Sequence, residues 1–222
     1  MHDGVKFYHY FFPIYNRIRT IARLKTRIVG SGNTCSNLNI FTSKCNFEII
    51  GSTNHISFGE FSKIGSVRLK IIGDNNTIII GKHCRIMDSE LWIEDNNCVI
   101  SIGDFTTVES AHIAVTESNS KIRIGEDCML AKKIVIRTGD SHSIIDLESN
   151  KRINYAKSVQ IGNHVWVGER STILKGVNIE DDVIIGTGAI ITTDCPANVI
   201  MAGVPAKILR TNVTWKRERI DK

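Results

Sequence analysis

Histidine is the side chain whose ordinary pKa lets it exchange a proton near neutral pH. Of the seven histidines in this chain, His142 is the one with a carboxylate two residues before it in an irregular stretch. His142 follows Asp140 by two residues in the run Asp140-Ser141-His142. A carboxylate on one ring nitrogen fixes the tautomer that leaves the other free as general base. The plainer readings are a turn-forming Asp140 and an exposed His142 with no role. Lys207 and Arg210, three residues apart, have the chemistry to hold phosphates, against the simple reading of a solvated basic terminus. Trp166 falls last in a six-residue unit and is expected to project outward, where an exposed indole marks an interface. His164 beside it is read as a surface residue, because no second ligand at metal-binding spacing accompanies it.

The elements that must position these residues are set by a repeat. From Ile161 to Pro196 an aliphatic residue recurs at 161, 167, 173, 179, 185 and 191, and a small or β-branched residue follows each by four. A period of six fits neither a helix nor a hairpin strand and points to a solenoid, three short strands and three corners to a coil of 18 residues. Gly162, Gly168 and Gly186 follow their aliphatic residues directly and are expected at corners that require φ > 0. Between residues 28 and 136 the step changes to 22: Phe58-Gly59, Ile80-Gly81, Ile102-Gly103 and Ile124-Gly125. Polar clusters at 51, 73, 94 and 117 supply the four extra residues as a turn bulging from one corner. In this register His112 falls at an inward corner. From Ile124-Gly125 to Ile161-Gly162 the step is 37, so a loop at 138–158 must leave the coil, and it carries Asp140 and His142.

Composition narrows the partners. A net charge of +5, with 28 basic and 23 acidic residues spread along the chain, is too mild for a nucleic-acid stripe. Cys84, Cys128 and Cys195 fall at inward corners, where free cysteine acts as a small hydrophobe. Neither a CxxC pair nor a Cys/His metal spacing occurs, and no metal is expected. With no signal-peptide pattern and no long apolar run, the chain reads as cytoplasmic. Residues 1–27 interleave aromatic and basic side chains and read as a helix capping the open end of the coil array. An interfacial membrane anchor is the alternative, compatible with the first. The expected organisation is therefore a cap at 1–27, a β-helix at 28–204 and a C-terminal tail at 205–222.

The repeats, the IGNHVW run and the AGVPAKILR tail resemble the hexapeptide-repeat acyltransferases, closest in character to bacterial capsular polysaccharide and sialic-acid O-acetyltransferases. The resemblance covers roughly residues 58 to 212 and implies a left-handed parallel β-helix assembled as a homotrimer. It implies His142 as general base, Trp166 lining an acceptor and pantetheine channel between subunits, and Gly186, Thr187 and Thr192 bonding the pantetheine arm. It also implies Lys207 and Arg210 on the coenzyme phosphates; Thr193 stands where relatives often carry lysine. The activity implied is acetyl transfer from acetyl-CoA to a hydroxyl of a bacterial surface sugar or polysaccharide. The alternatives are an N-acetyltransferase of a nucleotide-linked amino sugar and a non-catalytic β-helix that assembles a surface complex. A zinc carbonic anhydrase on the same fold would need three converging histidines, and none of the seven forms an evident trio.

Overall fold

The computed structural model describes residues 24–36 and 40–221, and in it the six-residue beat becomes three flat faces of a prism. The first face has eight strands, from Leu24–Val29 to Ile190–Ile191. The second has seven, from Thr34–Ser36 to Asn178–Ile179. The third has nine, from Phe41–Ser43 to Val199–Gly203 and finally Ala206–Thr211. Successive strands visit the three faces in turn, so each coil pairs in parallel with the coil before it. Among the described residues there is no α-helix. The expected helical cap falls mainly on residues outside those described, while Leu24 to Arg27 already pair with Cys45 to Glu48 as a strand.

Alternation along each short strand sends one side chain inward and the next out. Ile56, Ile78, Ile100, Ile122 and Val159 stack in register along the second face, all at most 1% exposed. Ile161, Val167, Ile173, Ile179, Ile185 and Ile191, with their corner partners Val165, Ser171, Val177, Val183, Ala189 and Cys195, complete a core one side chain wide. Burial of each aliphatic side chain contributes roughly 1.5–3 kcal/mol, and every coil supplies three or more. Corner carbonyls and amides are satisfied by buried polar ladders. Asn54 Nδ2 donates to the Gly73 carbonyl at 2.9 Å, and Asn54 Oδ1 accepts from the Asn76 amide at 2.9 Å. Asn76 repeats this one coil on, with Asp95 O and the Cys98 amide.

Two expectations are corrected. Gly162, Gly168 and Gly186 do not have positive φ; the left-handed residue lies two further along, at His164, Arg170 and Gly188. Glycine is needed for closeness instead. A Cβ on Gly162 would lie 2.4 Å from Asp181 Oδ1 and 2.8 Å from the Glu180 carbonyl carbon, because the next coil crosses directly over it. His112 points outward, where its Nδ1 lies 3.0 Å from Glu90 Oε2 on the neighbouring strand. Strand alternation buries its neighbours Ala111 and Ile113 and leaves His112 on the surface.

The chain leaves the prism after Ile134–Arg137 on the first face and returns at Val159–Ile161 on the second. The loop therefore emerges from the edge between those faces, the same edge from which the four extra residues of the earlier coils bulge. At the far end Ala206–Thr211 turns back against Val199–Gly203 in antiparallel fashion, unlike every other rung of that face.

Candidate active site at a solenoid edge

Within the loop, a short antiparallel pair, Ile145–Asp146 with Lys151–Arg152, makes a hairpin. Its base is tied by Asn154, a buried residue. Asn154 Nδ2 donates to the His142 carbonyl at 2.7 Å and to Asp140 Oδ2 at 2.9 Å, while its Oδ1 accepts from the Ile144 amide at 2.8 Å. Coils on either side clamp this knot. Arg152 pairs with Glu117 from below, and Lys175 from above donates to Asp140 and to the Asn154 carbonyl, the latter at 3.0 Å. Arg137 Nη2 donates to Ser141 Oγ at 2.8 Å, and Ser141 takes φ 66°. The His142 backbone is thus fixed from both sides and its side chain stays exposed.

Asp140 is held by Lys175 and Asn154 rather than by the His142 ring. The Lys175 ammonium, opposed in part by burial and aided by Asn154, pulls the Asp140 carboxyl below its ordinary range. Its role in the structure is to anchor the loop. Around the hairpin the apolar side chains Ile144, Ile145, Ile153, Tyr155 and the 96% exposed Leu147 face outward.

The remaining candidates lie elsewhere. Trp166, 39% exposed, sits on the third face. Register places Trp166, Ile184, Ile200 and Arg210 in one outward row across four strands, three rungs of ~4.8 Å. Lys207 lies on the same last strand, opposite Ala202, and neither cation has an ion-pair partner among the described residues. The Gly186 amide donates to the Met201 carbonyl at 2.8 Å, so Gly186 and the exposed Thr187 adjoin this end of the third face. Thr192, also exposed, lies on the edge that carries the loop. In a three-sided prism the edge between the first and second faces is opposite the third face. One chain therefore brings Trp166, Arg210 and Lys207 together and holds His142 on the other side.

His164 is not a free surface residue. Its ring stacks on Trp215 at 4.2 Å and 7°, its Nδ1 lies 2.9 Å from Asp127 Oδ2, and its Nε2 lies 3.0 Å from the Trp215 carbonyl oxygen. The Trp215 indole N–H donates back to the His164 carbonyl at 2.7 Å, and Trp215 lies 6.2 Å from Trp166. Burial works to lower the His164 pKa, but the Trp215 carbonyl and the Asp127 and Asp182 carboxylates outweigh it and raise it. Neither Asn154 nor Trp215 carries a local signal in the sequence, because each acts through contacts far along the chain.

Three-faced coils on a six-residue beat define a hexapeptide-repeat β-helix, and residues 158–193 match the family described as "Bacterial transferase hexapeptide (six repeats)". The crystal structure of the polysialic acid O-acetyltransferase OatWY superposes with a TM-score of 0.84 at 35% identity, covering 89% of this chain and 92% of that one. The chain belongs to the hexapeptide-repeat acyltransferase family. The polySia-specific acetyltransferase NeuO superposes with a TM-score of 0.81 at 31% identity over 89% of this chain and 90% of that one. The polysialic acid O-acetyltransferase of Escherichia coli O1:K1 / APEC is 41% identical over 91 residues, 41% of this chain and 30% of the relative. The matched stretches span less than half the length of the curated relatives.

Proposed function

We propose that this protein moves an acetyl group from acetyl-CoA to a hydroxyl of a bacterial surface sugar or polysaccharide, in a site completed between two copies of the chain in a homotrimer. The observation that carries the reading is the opposition of His142 and Trp166 across one prism. Placing prisms side by side sets the loop of one copy against the third face of the next, which joins the base to the Trp166–Arg210 row. The exposed apolar hairpin, including Leu147 and Ile153, gives that contact its hydrophobic area. Relatives named for O-acetylation of polysialic acid support a polymeric surface glycan as acceptor.

In this reading His142 takes the proton of the acceptor hydroxyl as its oxygen attacks the thioester carbonyl. The carbon–sulfur bond then breaks, the acetyl group stays on the sugar oxygen, and the coenzyme leaves as thiol after protonation. Lys207 and Arg210, exposed and without ion-pair partners among the described residues, suit the coenzyme phosphates. Trp166 lines the channel and binds acceptor or pantetheine with its indole face. Thr187 and Thr192 offer backbone groups to the pantetheine arm, and Gly186, whose amide is engaged by the Met201 carbonyl, lines it without a side chain in the way. Asp140 acts on the loop and not on the ring. Six free cysteines, five of them buried, suit a reducing compartment, and we place the protein in the cytoplasm. Among the described residues no helix is long and apolar enough to cross a membrane.

The deciding experiment mixes two inactive variants. His142→Ala and Trp166→Ala chains, combined before assembly, form about a quarter of their seams from an intact loop and an intact third face. Activity recovered on mixing supports the shared site; permanent inactivity of the mixture, with both variants trimeric, removes it.

A further inference from the structure

Both ring nitrogens of His164 face oxygen acceptors. Nδ1 meets Asp127 Oδ2 at 2.9 Å and Nε2 meets the Trp215 carbonyl at 3.0 Å, with Asp182 Oδ1 a further neighbour at 4.0 Å from Nε2. A neutral imidazole has one N–H and must turn a lone pair toward one of these oxygens; only the imidazolium donates to both. The partners come from different places. Asp127 belongs to the coil below, Asp182 to the coil above, and Trp215 to the chain's C-terminal segment.

That segment is a strap on the outside of the prism. Val213 donates its amide to the Asn198 carbonyl at 3.1 Å, and Thr214 Oγ1 donates to Asp182 Oδ1 at 2.7 Å. Arg217 then reaches down two coils, donating from Nε to Asp127 Oδ1 at 2.9 Å and from Nη1 to Thr107 Oγ1 at 3.1 Å. At its centre Trp215 is buried between the His164 ring and Trp166, whose plane is tilted 51° to it. His164 is two residues before Trp166, and the Trp215 indole holds the His164 carbonyl. The strap therefore holds the backbone two residues before Trp166 and packs beside one flank of its ring.

We propose that residues 213–217 form a proton-dependent latch, closed by the imidazolium of His164, with Trp215 as the positioning residue for Trp166. Its consequence for substrate binding rests on the reading of Trp166 given above; the latch itself does not. The charged groups around His164 are Asp127, Asp182 and, through Asp127, Arg217. Their balance leaves the ring beside two carboxylates and one guanidinium, which favours its charged form. The sign follows: a ring that protonates more readily with the strap docked holds it fully at acid pH, and docking weakens as pH rises through the raised His164 pKa. Asp127, whose carboxyl the His164 and Arg217 donors hold down against burial, stays ionised through that range.

The chain has 3 tryptophans, so its indole N–H signals give three reporters by NMR. Protection of the Trp215 indole, corrected for the intrinsic exchange rate, is expected to fall by about tenfold or more between pH 6 and pH 9, the loss of a charge-assisted bond. The Trp166 signal should shift over the same range while Trp92, on the first face, stays still. His164→Gln should show low Trp215 protection at both pH values with Trp92 unchanged. Trp215→Ala should raise the KM for acetyl-CoA or acceptor severalfold with a smaller change in kcat, and Trp215→Phe, which keeps the stack, should recover part of it. Equal Trp215 protection at the two pH values, or wild-type protection in His164→Gln, overturns the latch. Absence of acetyl transfer alongside the expected exchange pattern overturns the functional reading and still supports the latch.

Discussion

Asn154 donates from its side-chain amide to the carbonyl of His142 at 2.7 Å, across the neck of a hairpin that separates them by twelve residues. The same amide nitrogen holds Asp140, so one side chain sets the start of the loop, its histidine and its return. Asn154→Ala is expected to lower kcat by about tenfold or more, since a base misplaced by an ångström loses much of its effect. The hairpin lies outside the core, so the melting temperature should barely move. Limited proteolysis should find new cleavage within 142–153; an unchanged digestion pattern counts against Asn154 as the organiser.

His142→Ala should lower kcat by roughly 100- to 10,000-fold and leave coenzyme A affinity nearly unchanged, because the loss falls on proton transfer. Lys207→Ala and Arg210→Ala should do the reverse, raising the KM for acetyl-CoA with little effect on kcat. Turnover at the wild-type rate by the alanine variant at 142 would sink the mechanism.

Lys175 holds Asp140 below the ordinary carboxylate range. A depressed carboxyl steadies the loop at all pH values above its unfolded pKa, and that contribution is lost as pH falls through the depressed value. Amide exchange of residues 139–144 is therefore expected to stay slow down to about pH 4 and to rise below it. Lys175→Met should move that rise upward. Acid-independent exchange in both proteins would show that the pair does not govern the loop.

The coils were legible because each inward position admits only an aliphatic or small residue, and eighteen residues bring the pattern round again. The steps of 22 and 37 located the bulging edge and the expelled loop for the same reason. Contacts between non-repeating segments leave no such trace. Trp215 meets His164 from 51 residues away, and nothing periodic links them. His164 looked solitary because its partners Asp127, Asp182 and Trp215 converge only when three coils and the tail are stacked. The corner glycines were identified correctly as special and explained wrongly: the strain of left-handed backbone falls on His164 and Arg170, and Gly162 and Gly168 make room for the next coil.

Asn76→Ala would strip the Cys98 amide and the Asp95 carbonyl of their buried partner. Each such loss costs about 1–3 kcal/mol, so a clear drop in the midpoint of chemical denaturation is expected. A midpoint equal to wild type would mean that water replaces the amide at that corner.

The last strand, Ala206–Thr211, runs against the direction of every rung before it on the third face. A column of parallel coils has no intrinsic end, and a second molecule placed on its tip could in principle carry the same three ladders onward as a fibre. The reversed strand offers that newcomer an antiparallel edge on one side and parallel edges on the other two, a combination that no coil of this kind can match at once. The turn at 204–205 thus closes this tip of the column to further coils.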